Sequence, residues 1–320
     1  MSYSSTQKTQ PDTQTLWDML QTMRPANSAA EKAFIKKHLD SVKGMKHDSY
    51  GNRYIRIGKA PVAWSCHTDT VHKQSGSQRI VYNKNKGIIA LSQFEKQANC
   101  LGADDTAGVW LMLELIKHKK EGLYIFHRAE EIGGLGSDYI SKKTPELVEG
   151  INIMIALDRK GTDSIITHQM GGRCASDSFA ASLANQLEGY KPDSTGSFTD
   201  SANYATALIP ECTNLSVGYE SAHSPQESLD YFHLIGLRES LLALDYSKLI
   251  VERTPAIDDY DDDYWRIGAY SAKWTDTPVA GRDCRSIYDF CESYPDIVAD
   301  LLEQYGITLD DLYQSAPYVN

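Results

Sequence analysis

Five short apolar runs in this 320-residue chain each give way to a histidine or an acidic side chain. Residues 61–64 lead into Cys66-His67-Thr68-Asp69-Thr70, and residues 88–91 lead towards Asp104 and Asp105. Residues 123–126 run into Glu130-Glu131, residues 151–157 into Asp158-Arg159, and residues 211–217 into the loop that carries His223. Short apolar runs bounded by glycine and polar clusters read as buried strands. Helical stretches such as 109–116 lie between them, and that alternation predicts an α/β fold. The expected architecture is a mixed, mostly parallel central sheet flanked by helices. In open sheets of this kind ligands collect outside the carboxyl ends of the strands. The polar residues that close these runs are therefore expected to meet at one mouth. His67 and Asp69 are two apart, so they point the same way from a strand end. Taken singly, each has an ordinary structural explanation: a polar strand end, a helix cap or a solvated face. Their recurrence at successive strand ends is what favours a site.

Along the chain, residues 15–23 predict a short helix stopped near Pro25. Ser28-x-x-Glu31 forms a capping-box pattern before a second helix with Ile35, Leu39 and Val42 on one side, ended by Gly44. Residues 48–58 and 78–91 read as hairpins, and Asp105 reads as the N-cap of the helix after it. A helix is expected over 176–187, a loop entering a short helix over 195–204, and one long amphipathic helix over 228–252.

Composition closes several alternatives. A net charge of -11 argues against a nucleic-acid partner, which needs a basic face. No apolar run approaches the length of a membrane span. Residues 1–13 lack the apolar region of a signal peptide and read as a disordered lead. The six cysteines are scattered without a Cys-x-x-Cys pair, which fits reduced thiols in the cytoplasm. Residues 14–253 then form the main domain, and 254–320 form an acidic linker with a helical C-terminal extension. The acidic run at 258–263 lacks the glycine and terminal glutamate of a calcium loop and reads as a solvated linker.

Together, His67-Thr68-Asp69-Thr70-Val71, Leu101-Gly102-Ala103-Asp104-Asp105, Glu130-Glu131-Ile132-Gly133, Leu157-Asp158 and His223-Ser224-Pro225 resemble the motifs of the co-catalytic di-zinc exopeptidase superfamily. That group includes peptidase T, bacterial zinc carboxypeptidases and single-domain zinc aminopeptidases. The motifs occur in the family's order. The resemblance implies that Asp104 bridges two zinc ions, with cobalt or manganese as substitutes. His67 and Asp158 would complete one ion's protein ligands, and Glu131 and His223 the other's. Asp69 would orient His67, and Glu130 would be the general base acting on a metal-bridging water. A cis peptide at Asp104–Asp105 is also implied. Thr106 stands where many relatives carry lysine, and the short interval between Asp158 and His223 leaves no room for the family's lid domain. Substrate contacts are then expected from the sheet's own loops. Tyr219 would donate to an oxyanion, Asp200 would pair with a substrate amine or Arg173 with a carboxylate, and Glu227 would support the His223 loop.

The function so implied is a metal-dependent exopeptidase on peptides or small amides, with an aminopeptidase favoured. A carboxypeptidase or a deacylase of N-acyl amino acids is the alternative within enzymes. A catalytically inactive binding module on the same fold is the alternative outside them.

Overall fold

The computed structural model describes residues 11–255, together with Val298 and Leu302. The expectations for residues 1–10 and for the acidic and helical segments past residue 255 lie outside the described residues. Two sheets organise the rest. In chain order the strands are β1 (Lys46–His47), β2 (Arg53–Ile57), β3 (Val62–His67), β4 (Ile80–Asn83), β5 (Ile88–Leu91), β6 (Gly122–His127), β7 (Ile153–Arg159), β8 (Ser164–Ile166), β9 (Lys191–Asp193), β10 (Glu211–Ser216), β11 (Tyr219–Glu220) and β12 (Ser228–Asp230). The main sheet has the order β9-β8-β10-β7-β3-β6-β2-β1. Its centre, β10-β7-β3-β6, is parallel, and β2 and β1 continue it antiparallel. A smaller antiparallel sheet, β11-β12-β5-β4, lies alongside.

The central strands are apolar throughout because both faces are covered. Along β3, Val62, Trp64 and Cys66 join the larger core, whereas Ala63 joins the core on the opposite face. The helices are α1 (Thr13–Leu20), α2 (Ala29–His38), α3 (Ala103–Lys117), α4 (Leu135–Lys143), α5 (Asp177–Ala184), α6 (Ala202–Ala205) and α7 (Tyr231–Ala243); α3 packs on β3 and β7, and α1 and α7 pack on α3. The sequence Ala-Gly-Val-Trp-Leu-Met-Leu leaves α3 no polar stripe, as befits an element buried on most sides. Gly108 makes the close approach possible, because a Cβ there would lie 2.3 Å from the Leu157 carbonyl oxygen.

Several local expectations are corrected. Residues 228–252 are not one helix: Ser228–Asp230 is strand β12, paired with β5, and α7 ends at Ala243. Asp230 stops the strand and caps the helix by accepting from the His233 amide at 2.9 Å. The lead gives way earlier than residue 13, because Asp12 caps α1 and its carbonyl accepts from the Trp110 indole at 2.8 Å. Only half of the capping box forms. Ser28 accepts from the Glu31 amide, but the Glu31 carboxylate turns to Arg128, Thr68 and the Asn27 amide. Among the described residues no helix is long and apolar enough to cross a membrane.

Candidate metal centre

One cleft of about 610 Å³ is lined by Asp158 and Arg159 at the end of β7, by Glu130 and Glu131 after β6, by Asp104 at the start of α3 and by residues 219–223. His67, the last residue of β3, is level with His127, the last of β6. Glu130 and Glu131 follow β6, Asp158 lies near the end of β7, Asp104 is in the first turn of α3, and His223 follows β11 with a positive φ of 64°.

Asp104 links two clusters. Its Oδ1 lies 3.0 Å from His67 Nε2 and its Oδ2 lies 3.2 Å from His223 Nε2. His67 Nε2 is also 3.6 Å from Asp158 Oδ1, and His223 Nε2 is 3.2 Å from Glu131 Oε2. The result is two triads, His67–Asp104–Asp158 and Asp104–Glu131–His223. Within each, one potential ligand atom per residue lies within 4.8 Å of the others. All five residues singled out as ligands from the sequence therefore converge.

The supports of these residues explain the local sequence. The Asp104–Asp105 peptide is cis, and Asp104 leaves helical geometry with φ -76° and ψ 104°. Asp105 serves as the cap: its Oδ1 accepts from the Gly108 amide at 2.8 Å and its Oδ2 from the His67 amide at 3.2 Å. Glu227 braces the His223 loop through its backbone, its amide donating to the Ser224 carbonyl at 3.1 Å. Its carboxylate accepts from the Gly102 and Asp104 amides at 2.8 and 3.0 Å, and so fixes the turn that presents Asp104.

Asp69 meets His67 twice: its carboxylate lies 3.7 Å from His67 Nδ1, and its backbone carbonyl accepts from Nδ1–H at 3.1 Å. This places the proton on Nδ1 and turns the Nε2 face towards the acids. The Asp69 carboxylate accepts from the amides of both Glu130 and Glu131 at 3.2 Å, so it holds the loop that carries them. Asp158 is tied down at both oxygens: Thr199 donates to Oδ2 at 2.7 Å and the Tyr219 hydroxyl to Oδ1 at 3.2 Å. Asn214 pairs with the Asp158 backbone at 2.9 and 2.7 Å.

The three substrate contacts expected from the sequence separate. Tyr219 lines the cleft, with its hydroxyl committed to Asp158. Asp200 is buried, does not line the cleft and lies 3.3 Å from His127 Nδ1, so it is not placed to meet a substrate amine. Arg173 lies on a separate cleft beside Glu252 and pairs with Asp177 at 2.9 Å. Arg173 thus lies apart from the two triads. Sequence reading passed over Thr199, Asn214 and Arg24. Arg24 is fully buried, donates to the Thr68 carbonyl at 2.7 Å and to Thr106 at 2.8 Å, and lies 4.2 Å from the centre of the Phe34 ring. None of the three belongs to a local motif, since each partner is remote in sequence.

The electrostatics of the cleft fit a cation site. Burial pushes the Glu130 carboxyl well above the usual range and, with the charge of Asp104, pushes Glu131 up to about 7. Burial and Asp104 also raise Asp158. Burial opposes the charge on Asp104, yet hydrogen bonds from His223 and His67 hold its carboxyl below the usual range. Crowded carboxylates of this kind are relieved by protons or by metal ions. Glu131 Oε1 is buried and has no hydrogen-bond partner among the described residues, a polar atom whose cost a ligated cation would remove. Imidazole and carboxylate donors, three per position with Asp104 shared, match a catalytic zinc-type set that keeps one coordination place open.

The described fold is similar to that of solved peptidase structures. Solved structures that it matches include the aminopeptidase PepT of Bacillus cereus, at 14% identity and TM-score 0.57, over 72% of this chain and 96% of that one. A tripeptidase of Staphylococcus aureus matches at 15% identity and TM-score 0.58, over 72% of this chain and 95% of that one. The TET1 peptidase of Pyrococcus horikoshii matches at 15% identity and TM-score 0.53, over 72% of this chain and 98% of that one. No protein-family model matches the chain, and no curated protein matches it in sequence.

Proposed function

We propose that this chain is a two-metal peptidase of the aminopeptidase kind, hydrolysing a peptide amide next to a chain end. The observation that carries this is Asp104, whose two carboxylate oxygens each face a different imidazole-bearing triad. His67, Asp104 and Asp158 would hold one divalent cation, and Asp104, Glu131 and His223 the other. Zinc suits these donors, and cobalt or manganese can occupy the same set. Bound there, the cations supply Lewis acidity to a water and to the substrate carbonyl.

The chain's own residues do the rest. Glu130 lines the cleft beside both triads, and its amide is pinned by Asp69. A carboxyl with its affinity for protons raised by burial is suited to take the proton of the attacking water and return it to the leaving nitrogen. Asp69 and Glu227 keep the ligand loops fixed through backbone amides. Tyr219 and Thr199 hold Asp158 in one orientation. The aminopeptidase direction is favoured by the compared Bacillus structure, which is an aminopeptidase. A cytoplasmic setting accords with Cys66, Cys100, Cys174 and Cys212, which are buried free thiols. The test is hydrolysis of aminoacyl p-nitroanilides by protein loaded with zinc, cobalt or manganese. Activity that needs a free amine, and that is lost in Glu130→Gln without loss of metal, supports the proposal. Metal-replete protein that cleaves no aminoacyl amide contradicts it.

A further inference from the structure

The wall of the cleft beyond the ligands has its own charge pattern. Asp104, Glu130, Glu131 and Asp158 form the floor, and in the function proposed above they are committed to cations and to proton transfer. With His223 in the second triad and the Tyr219 hydroxyl on Asp158, the remaining ionisable groups of the lining are Arg159, Lys160 and Glu220. Two cations against one anion leave this wall with a net positive charge once the floor is neutralised. The two cations directly follow the ligand Asp158 at the end of β7, so the strand that holds the ligand also sets their place beside it.

Neither cation is fully used by the fold. Arg159 Nη2 donates to the Thr195 carbonyl and hydroxyl at 2.9 and 3.2 Å, an arrangement that steadies the guanidinium. Its nearest acid, Asp193, is 3.8 Å away and does not line the cleft. Arg159 Nε is buried and has no hydrogen-bond partner among the described residues. Lys160 is exposed at the cleft and its side chain makes no ion pair or hydrogen bond among the described residues. A guanidinium steadied in the cleft lining beside an uncommitted ammonium is a receptor for a carboxylate.

We propose that Arg159 and Lys160 form a carboxylate subsite, and that the substrates are peptides bearing a carboxylate close to the scissile amide. This rests on the peptidase function proposed above. The carboxylate can come from the free C-terminus of a short peptide or from an acidic side chain, and the test separates the two sources. Metal-loaded protein is assayed on Ala-Ala, on its C-terminal amide, and on the amides of Ala-Glu and Glu-Ala.

For a terminal carboxylate, kcat/KM for Ala-Ala exceeds that for Ala-Ala amide by about tenfold or more, the usual scale of a charge-assisted contact, and chiefly through KM. For a side-chain carboxylate, one of the two glutamyl amides shows that advantage instead. In either case the advantage shrinks in Lys160→Ala and in Arg159→Gln, with metal content unchanged. Equal cleavage of charged and amidated peptides overturns the subsite and leaves the peptidase standing. An advantage that persists undiminished in both variants overturns the assignment to these residues. No cleavage of any of the four by metal-replete protein overturns the peptidase and the subsite together.

Discussion

Glu227 holds Asp104 in place without touching its side chain: one carboxylate oxygen accepts from the Asp104 amide at 3.0 Å while the other takes the Gly102 amide at 2.8 Å. The carboxylate shared by both triads is thus aimed from a residue far along the chain. Burial pushes Glu227 up to about 7, and that cost is accepted where two backbone donors must be satisfied. Glu227→Gln places an NH₂ group against one of those donors. Metal affinity is expected to fall about 10- to 100-fold, the scale seen when an outer support of a ligand is removed. Metal titration with a competing chelator measures it, and circular dichroism reports whether the fold is kept.

Asp158 is braced from two sides, by Thr199 at 2.7 Å and by Tyr219 at 3.2 Å. Thr199→Val preserves the shape and removes the shorter brace, and Tyr219→Phe removes the longer. Each is expected to weaken the cation held by His67, Asp104 and Asp158, with Thr199→Val the stronger effect. The Glu131–His223 position should be affected less. Resolved binding isotherms distinguish the two positions, and equal weakening of both would contradict the assignment of Asp158 to one triad.

His72 gives a pH prediction that concerns the fold. Its Nε2–H donates to Gln78 and to the Cys100 carbonyl, both at 3.0 Å, and its Nδ1 pairs with the Thr70 hydroxyl at 2.7 Å. The ring is satisfied as neutral, and burial holds it down to about 4. The folded state therefore binds this proton less readily than the unfolded chain does. The stability it contributes is complete above about 6.5 and is lost as pH falls towards 4. Between pH 7 and pH 5 the wild type should lose roughly 2 kcal/mol more than His72→Gln. Urea denaturation of both proteins at the two pH values checks this. Other buried histidines and the raised carboxylates are common to both proteins and cancel in the comparison.

Much of the centre was legible because its signals are local. His67 and Asp158 sit at the C-terminal ends of β3 and β7 and Glu131 follows β6, and a parallel sheet collects such ends at one mouth, whereas Asp104 opens α3 and His223 follows β11 of the smaller sheet. The cap formed by Asp105 was legible for the same reason. The supports were not, because they depend on which loops meet in space. The carboxylates of Asp69 and Glu227 serve backbone amides, which carry no sequence signature. Asp200 and Arg173 had the right chemistry in the right stretch, but burial beside His127 and pairing with Asp177 place them elsewhere. The long helix expected over 228–252 failed at its start because the apolar periodicity of Leu229 is equally compatible with an extended strand against β5.

The most direct test of the account is the metal content of purified, zinc-dialysed protein beside Asp104→Ala, His67→Ala and Glu131→Ala, each checked for retained fold. A bridging Asp104 predicts about two ions per wild-type chain, about one in His67→Ala and in Glu131→Ala, and close to none in Asp104→Ala. A wild type that holds no ion, or an Asp104→Ala protein that keeps two, would contradict it.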